Sequence, residues 1–355
     1  VAIRSLIDHA SEDREYLVFV FHTKLSEGNV RRLERLSEGS VRVVCQNVSP
    51  FVRTAHLYSA SHYSVAMYYR LLAAELLPFF EKVVYLDCDL VLLADIAELC
   101  DTDLQGKPIA AARNPLQYYN MKYVQYTLRV STDRYVNSGV LVIDTARFLR
   151  EKIKDKCFAL LAEHKNLRCP DQDALNMACR GRVCYLPPEW NFQWHFLMET
   201  KPEYRLHEDD EAILSAAEKD CRILHFTSGN KPWIKPMFPL SYRFWQVARR
   251  TEFYEEIVYK NTLDKMLWLF RKRDAESGAA QGAPSQTVHG AFPQTAQVRS
   301  LSARFFDEWR ERGFLSAMRK ARRKLFGKRD VRRKERKDSE KGGRAKDGQR
   351  VRRQE

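Results

Sequence analysis

Apolar positions along the chain follow two rhythms that alternate. Short runs rich in β-branched and aromatic residues, Tyr16–Phe21, Val41–Cys45, Val83–Leu86 and Val140–Ile143, read as buried strands. Lys107–Ala112 reads as a further strand and Ile223–Phe226 as a short one. Between them, apolar residues recur at helical spacing: Ile3, Leu6 and Ile7 in Val1–His9, then Val30, Leu33 and Leu36 in Glu27–Leu36. Ser59–Leu77, stopped by Pro78, and Phe148–His164 read as longer helices, and Asp171–Cys179 as a helix with an acidic first turn. Cys184–Trp194, dense in aromatics and Pro, predicts an ordered loop wall rather than a strand, and Phe238–Tyr259 aromatic helices that close the domain. The alternation predicts an α/β domain with a mixed, mainly parallel sheet flanked by helices.

One stretch, Glu81–Glu98, joins this pattern to chemistry. Its apolar run breaks at Asp87-Cys88-Asp89 and resumes at Leu90–Leu93. In extended backbone, Asp87 and Asp89 point to the same side. Paired carboxylates at a strand end repel unless a cation lies between them, and oxygen ligands suit magnesium or manganese. Spacing alone does not decide this, because Asp101/Asp103 and Asp171/Asp173 share it.

Composition changes the picture mainly at the C-terminus. The net charge is +14, but residues 319–355 hold 18 Lys/Arg against 6 Asp/Glu, so residues 1–318 are nearly neutral. Ala275–Ser300 is Gly, Ala, Ser, Gln and Pro with little apolar content, the composition of a flexible linker. Leu301–Phe326 sets Leu301, Phe305, Phe306, Trp309, Phe314, Leu315 and Met318 among Arg and Lys. That pattern suits an amphipathic helix pair on an anionic membrane surface, or a helix packed back on the domain. The division expected is residues 1–273 as the folded domain, 274–300 as linker and 301–355 as basic tail. The tail carries no recognisable nucleic-acid module, so no nucleic-acid partner is expected. Eight scattered cysteines without a Cys-x-x-Cys pair read as small core residues in a reducing cytosol.

Further candidates stand apart in sequence. His62 and Arg70 lie eight residues apart on one predicted helix. Asn137-Ser138-Gly139 precedes a buried strand, and Asp171-Gln172-Asp173 opens a helix, where either acid also suits capping. His225 runs into Thr227-Ser228-Gly229-Asn230-Lys231-Pro232-Trp233, a loop whose amides and ammonium suit phosphate oxygens. Taken alone, His225 equally suits a packed core histidine.

In order and context, these pieces resemble glycosyltransferase family 8, which includes bacterial lipooligosaccharide and lipopolysaccharide α-galactosyl- and glucosyltransferases and glycogenin. The likeness spans roughly residues 1–260. It rests on Tyr68-Tyr69-Arg70-Leu71, Val84 through Asp89, Tyr135 through Leu141, Pro170 through Asp173, Trp190-Asn191-Phe192, and His225 through Trp233. The resemblance implies a GT-A-type domain and a configuration-retaining transferase moving galactose or glucose from a UDP-sugar to a glycan or glycolipid. It implies Mn2+, with Mg2+ as substitute, held by Asp87, Asp89 and His225. It places Arg70, Asp87, Asn114, Asn137, Gly139, Asp171, Gln172, Gly229 and Lys231 at the donor, His62 at the acceptor, and Gln172 with Asp171 at the reacting sugar. An amide is a poor nucleophile, so front-side substitution is favoured over the double displacement of paired-carboxylate glycosidases.

Two departures bear on this. Val1 falls inside the helix after the family's first strand and uridine-binding turn, so that strand is expected to be missing from the domain. Asn114 stands where some galactosyltransferases of the family have Asp. The alternative is a non-catalytic relative that binds or scaffolds. The implied place of work is the cytoplasmic face of the cell membrane. The tail gives a direct test: residues 301–355 should float with vesicles containing anionic lipid and stay behind with neutral ones. Equal flotation with both would remove the electrostatic reading.

Overall fold

The computed structural model describes residues 1–53, 65–194, 196, 205–206, 208–227, 229 and 231–279, with side chains as far as 269. The chain falls into two compact units, Val1–Val258 and Tyr259–Glu355. The first is an α/β unit in which three sets of paired strands are flanked by helices.

Strands β1 (Tyr16–His22) and β2 (Val41–Asn47) pair in parallel around α2 (Glu27–Glu34), following α1 (Ala2–Ile7). After α3 (Ser49–Arg53) and α4 (Tyr69–Leu76), β3 (Lys82–Leu86) enters a four-stranded sheet ordered β3-β6-β5-β7. Strand β4 (Leu90–Leu92) is followed by α5 (Ala97–Cys100), β5 (Ile109–Arg113) and α6 (Tyr118–Lys122). Then come β6 (Val136–Asp144), α7 (Thr145–Arg150), α8 (Ile153–Glu163), α9 (Pro170–Ala178) and β7 (Val183–Leu186). Next, α10 (Glu208–Ala217), β8 (Ile223–His225) and α11 (Ser241–Ala248) lead to α12 (Tyr254–Ala279). No helix among the described residues is long and apolar enough to cross a membrane.

The sheet is mixed, as the alternation predicts, but its parallel share is smaller. Strands β1 with β2 and β5 with β7 run parallel, whereas β3 with β6, β5 with β6, and β4 with β8 run antiparallel. Direction reverses at β6, one of the two inner strands, whose Val136–Ile143 are buried throughout and include Asn137-Ser138-Gly139 within the strand. Among the described residues β1 and β3 each pair on one edge only. Even so, Val18, Val20, Val84 and Leu86 pack on one apolar cluster, and Phe21, Val83 and Tyr85 on another.

Three expectations need correction. The apolar run around Asp87 is two strands in different sheets, because β3 pairs with β6 while β4 pairs with β8. Phe148–His164 breaks at Lys152, whose left-handed φ of 53° separates α7 from α8. Val183–Leu186 is a strand rather than part of a loop wall, since it pairs in parallel along Ile109–Ala112 of β5 before Pro187 and Pro188 end it. The eight cysteines are free, but only Cys157, Cys179 and Cys184 are buried, while Cys88 and Cys100 are exposed.

A third apolar cluster ties the site to the scaffold. Phe192, fully buried, packs with Val91, Leu224, Phe226 and Phe244. Its amide donates to the Ile223 carbonyl at 2.9 Å and its carbonyl accepts from the His225 amide at 2.9 Å. Replacing Phe192 with Ala should cost about 3–5 kcal/mol of stability. The urea midpoint will report it, whereas Phe79→Ala, at a side chain 94% exposed, should stay within about 0.5 kcal/mol.

Candidate active site

Strand register assembles the site. The Asp87 amide donates to the Gly139 carbonyl at 2.8 Å, one rung beyond Leu86 opposite Val140. Leu90 lies opposite His225, and the Phe226 amide donates to the Asp89 carbonyl at 3.0 Å. Asp87, Asp89 and His225 thereby offer three ligand atoms, all within 4.8 Å of one another.

Their surroundings orient them for a cation. His225 Nδ1 lies 2.7 Å from Asn191 Oδ1. A carbonyl oxygen only accepts, so Nδ1 carries the hydrogen, and Nε2 faces Asp89 at 3.3 Å and Asp87 at 3.8 Å. In neutral imidazole that leaves a lone pair pointed at two carboxylates, an arrangement completed by a positive charge between them. The Asn191 amide is itself fixed: its Nδ2 donates to Asn137 Oδ1 at 2.9 Å, which also accepts from the Gly139 amide. At Gly139 an added Cβ would overlap the His225 ring and come within 2.7 Å of Asp87 Oδ2. The donor set and the space left by this glycine fit a divalent metal with mixed oxygen and nitrogen ligands.

Fixed cations stand on either side. Arg70, buried in α4, donates to Asp87 Oδ1 at 2.8 Å and to Ser138 Oγ, and its Nε lies 3.0 Å from Asp171 Oδ2. It also stacks 4.8 Å from the centre of the Tyr85 ring, whose hydroxyl donates to Asp87 at 2.8 Å. Lys231 donates to Asp89 Oδ2 and, at 2.6 Å, to the Phe226 carbonyl. Burial works against the Arg70 charge, but Asp171 and its neighbouring acids more than offset it and raise the pKa above its ordinary value. Burial likewise pushes Asp89 up, yet contacts with His225, in the form that also carries a proton on Nε2, and with Lys231 prevail and hold it below the usual carboxylate range. Burial raises Asp171, partly countered by Arg70.

The sugar-facing candidates lie together. A register shift between Ala111 and Arg113 ends β5 so that Asn114 Oδ1 accepts from Asn137 Nδ2 at 3.2 Å. Asp171 and Gln172, in the first turn of α9, reach Ser138: Asp171 Oδ2 lies 3.4 Å from its hydroxyl, and Gln172 Oε1 accepts from its amide at 3.1 Å. Gly229 is an exposed turn residue whose Cβ would meet nothing within 4 Å. His62, Ser228 and Asn230 lie outside the described residues. Asp101 pairs with Arg14 at 2.9 Å, and Asp103 accepts from the Gln105 amide, both away from the cluster.

Four residues at the site had no role assigned from sequence: Tyr85, Tyr135, Ser138 and Asn191. Each adjoins or lies within a stretch that carries the resemblance, so the signal was position. What they contact depends on pairings across the sheet.

The site is thus a two-carboxylate and histidine cluster at the ends of sheet strands, flanked by Arg70 and Lys231. The model of glycosyl transferase family 8 matches residues 1–236, and the chain belongs to that family. It is 28% identical over 235 residues to General stress protein A of Bacillus subtilis, covering 64% of this chain and 80% of that protein. It is 27% identical over 188 residues to the lipopolysaccharide 1,2-glucosyltransferase of Escherichia coli K12, covering 52% of this chain and 54% of that one. Among solved structures, the apo bifunctional glycosyltransferase WbbM superposes with a TM-score of 0.64 at 26% identity, over 73% of this chain and 48% of WbbM.

The glycine supplies the sharpest test of the cluster. Gly139→Ala should weaken Mn2+ binding about 10- to 100-fold, measured by titration calorimetry. Gly28→Ala, whose Cβ meets only Ser26 Oγ at 4.0 Å, should leave that affinity as it is.

Proposed function

We propose that this family 8 chain is a configuration-retaining hexosyltransferase. It moves galactose or glucose from a UDP-sugar to a glycan or glycolipid such as a lipopolysaccharide core or surface polysaccharide. The observation that carries this reading is the convergence of Asp87, Asp89 and His225 within 4.8 Å, backed by Arg70 and Lys231. The likeness to the E. coli glucosyltransferase supports a hexose. Asp87, Asp89 and His225 would hold Mn2+, or Mg2+ in its place; when bound, the cation neutralises charge on the departing diphosphate.

The remaining work falls to side chains. Lys231, freed from Asp89, supplies an ammonium to the β-phosphate beside the Gly229 turn. Arg70 orders Asp87 and Asp171 so that both face inward. Asn114, Asn137 and Asp171 are suited to hydrogen-bond sugar hydroxyls, and Gly139 admits the donor close to β6. Gln172 offers an amide, which stabilises positive charge at the sugar without becoming a nucleophile. Front-side substitution follows, with the leaving phosphate oxygen taking the acceptor proton. His62 is assigned to the acceptor. Residues 1–273 make up the transferase domain and 274–300 a linker. Residues 301–355 form a basic anchor to anionic lipid on the cytoplasmic side of the membrane, where glycolipid acceptors are built.

UDP release from UDP-glucose or UDP-galactose in the presence of Mn2+ tests the reading. EDTA should abolish release, and Asp89→Ala should lower it by roughly 10²–10³-fold. Release that ignores EDTA would remove the metal-dependent mechanism, whereas no UDP binding with Mn2+ would point instead to a non-catalytic family member.

A further inference from the structure

Gln172 is held at both ends of its amide. Its Oε1 accepts from the Ser138 backbone N–H at 3.1 Å, and its Nε2 donates to Tyr135 Oη at 2.9 Å. Tyr135 in turn donates to Asp173 Oδ1 at 2.5 Å, and Tyr123 donates to Asp173 Oδ2 at 2.7 Å. Asp173 is fully buried, and Tyr135 is 4% exposed. The direction of this chain is not a free choice. An ionised carboxylate only accepts, so it claims the one Tyr135 hydrogen, and Tyr135 Oη can then only accept from Gln172. The backbone N–H of Ser138 only donates, so it demands the Gln172 oxygen. Two independent constraints thus select one amide orientation out of two.

We propose that Asp173 and Tyr135 are positioning residues whose purpose is to lock the Gln172 amide with its carbonyl oxygen on the Asn137-Ser138-Gly139 side. This rests on the transferase reading, in which that oxygen is the group offered to the developing positive charge on the sugar. A flipped amide would present N–H donors there and oppose the charge. Asn176 ties this turn of α9 to β6, because its Nδ2 donates to the backbone carbonyls of Gln172 and Val136, each at 2.9 Å. The rival explanation is helix capping, since Asp173 Oδ2 also accepts from the Cys169 amide at 3.0 Å. Capping accounts for Asp173 but not for Tyr135, whose hydroxyl links Asp173 to Gln172 and, among the described residues, bonds to nothing else.

Tyr135→Phe is therefore the leading variant, and a cycle with Gln172→Ala isolates its route of action. With UDP-glucose or UDP-galactose, Mn2+ and water as acceptor, Tyr135→Phe should lower kcat about tenfold while KM moves less than about twofold, a coupling near 1.4 kcal/mol. In the Gln172→Ala background the same change should alter kcat by less than about twofold. Equal losses in both backgrounds would overturn the proposal. A second readout does not need activity: the Gln172 side-chain amide resonances, assigned by their loss in Gln172→Ala. They should be sharp and slow to exchange in the native protein, and broadened in Tyr135→Phe and Asp173→Asn. Unchanged amide resonances in Tyr135→Phe would also overturn it. If the native protein releases no UDP, the transferase reading fails, and the amide spectrum still decides the positioning.

Discussion

Three carboxylates, Asp87, Asp89 and Asp171, share a small volume where the ends of several strands meet, and their repulsion is the constraint that shapes everything around it. Two unit charges about 4 Å apart repel by about 4 kcal/mol at an effective dielectric of about 20. The fold opposes this with one buried guanidinium placed between two of them and one ammonium on the third. Two fixed cations against three acids leave a net negative charge, so the cluster is unfinished until something positive joins it. That deficit makes the same residues suited to a divalent ion and, once it is bound, to a diphosphate.

The polar shell obeys a second rule: the amides that orient His225 are committed to one another. Asn191 orients His225, Asn137 orients Asn191, and the Gly139 amide shares the acceptor on Asn137. Buried amides left unpaired cost more than their bonds return, so chains of this kind are stable only when complete. The side chains that would meet a ligand are therefore set by residues one contact further back, and those residues sit in β6 and in the turn that pairs beside β8 through Phe192.

Much of this was legible in the chain. Asp87, Asp89 and His225 could be named because their stretches resemble the family's, and hydrophobic rhythm placed nearly every strand. The break at Asp87-Cys88-Asp89 was visible as polarity, but not as a change of sheet, because periodicity reports burial and not partner. Asn191 lay in a recognised stretch without a role, since only the pairing of Phe192 with the Ile223–His225 strand brings its amide to the histidine ring. Asp173 was legible as an acid at a helix start that also suits capping, and it does accept from the Cys169 amide; its bond with Tyr135, 38 residues away in sequence, was not legible. Lys152 gave no warning at all, as a lysine in left-handed backbone leaves no mark in a pattern of polar and apolar positions.

The division of the Asp87–Asp89 segment between two sheets carries a thermodynamic meaning. Asp87 ends a strand paired with β6, while His225 belongs to the strand paired with β4, so no partly folded form with one sheet alone contains the complete cluster. An ion bound by all three residues would add its whole binding free energy to the state with both sheets formed, growing with the logarithm of its concentration. Metal supply would then act on cooperativity as well as chemistry. In metal-poor surroundings the two sheets could open as separate units, and in metal-rich surroundings they would be obliged to melt as one.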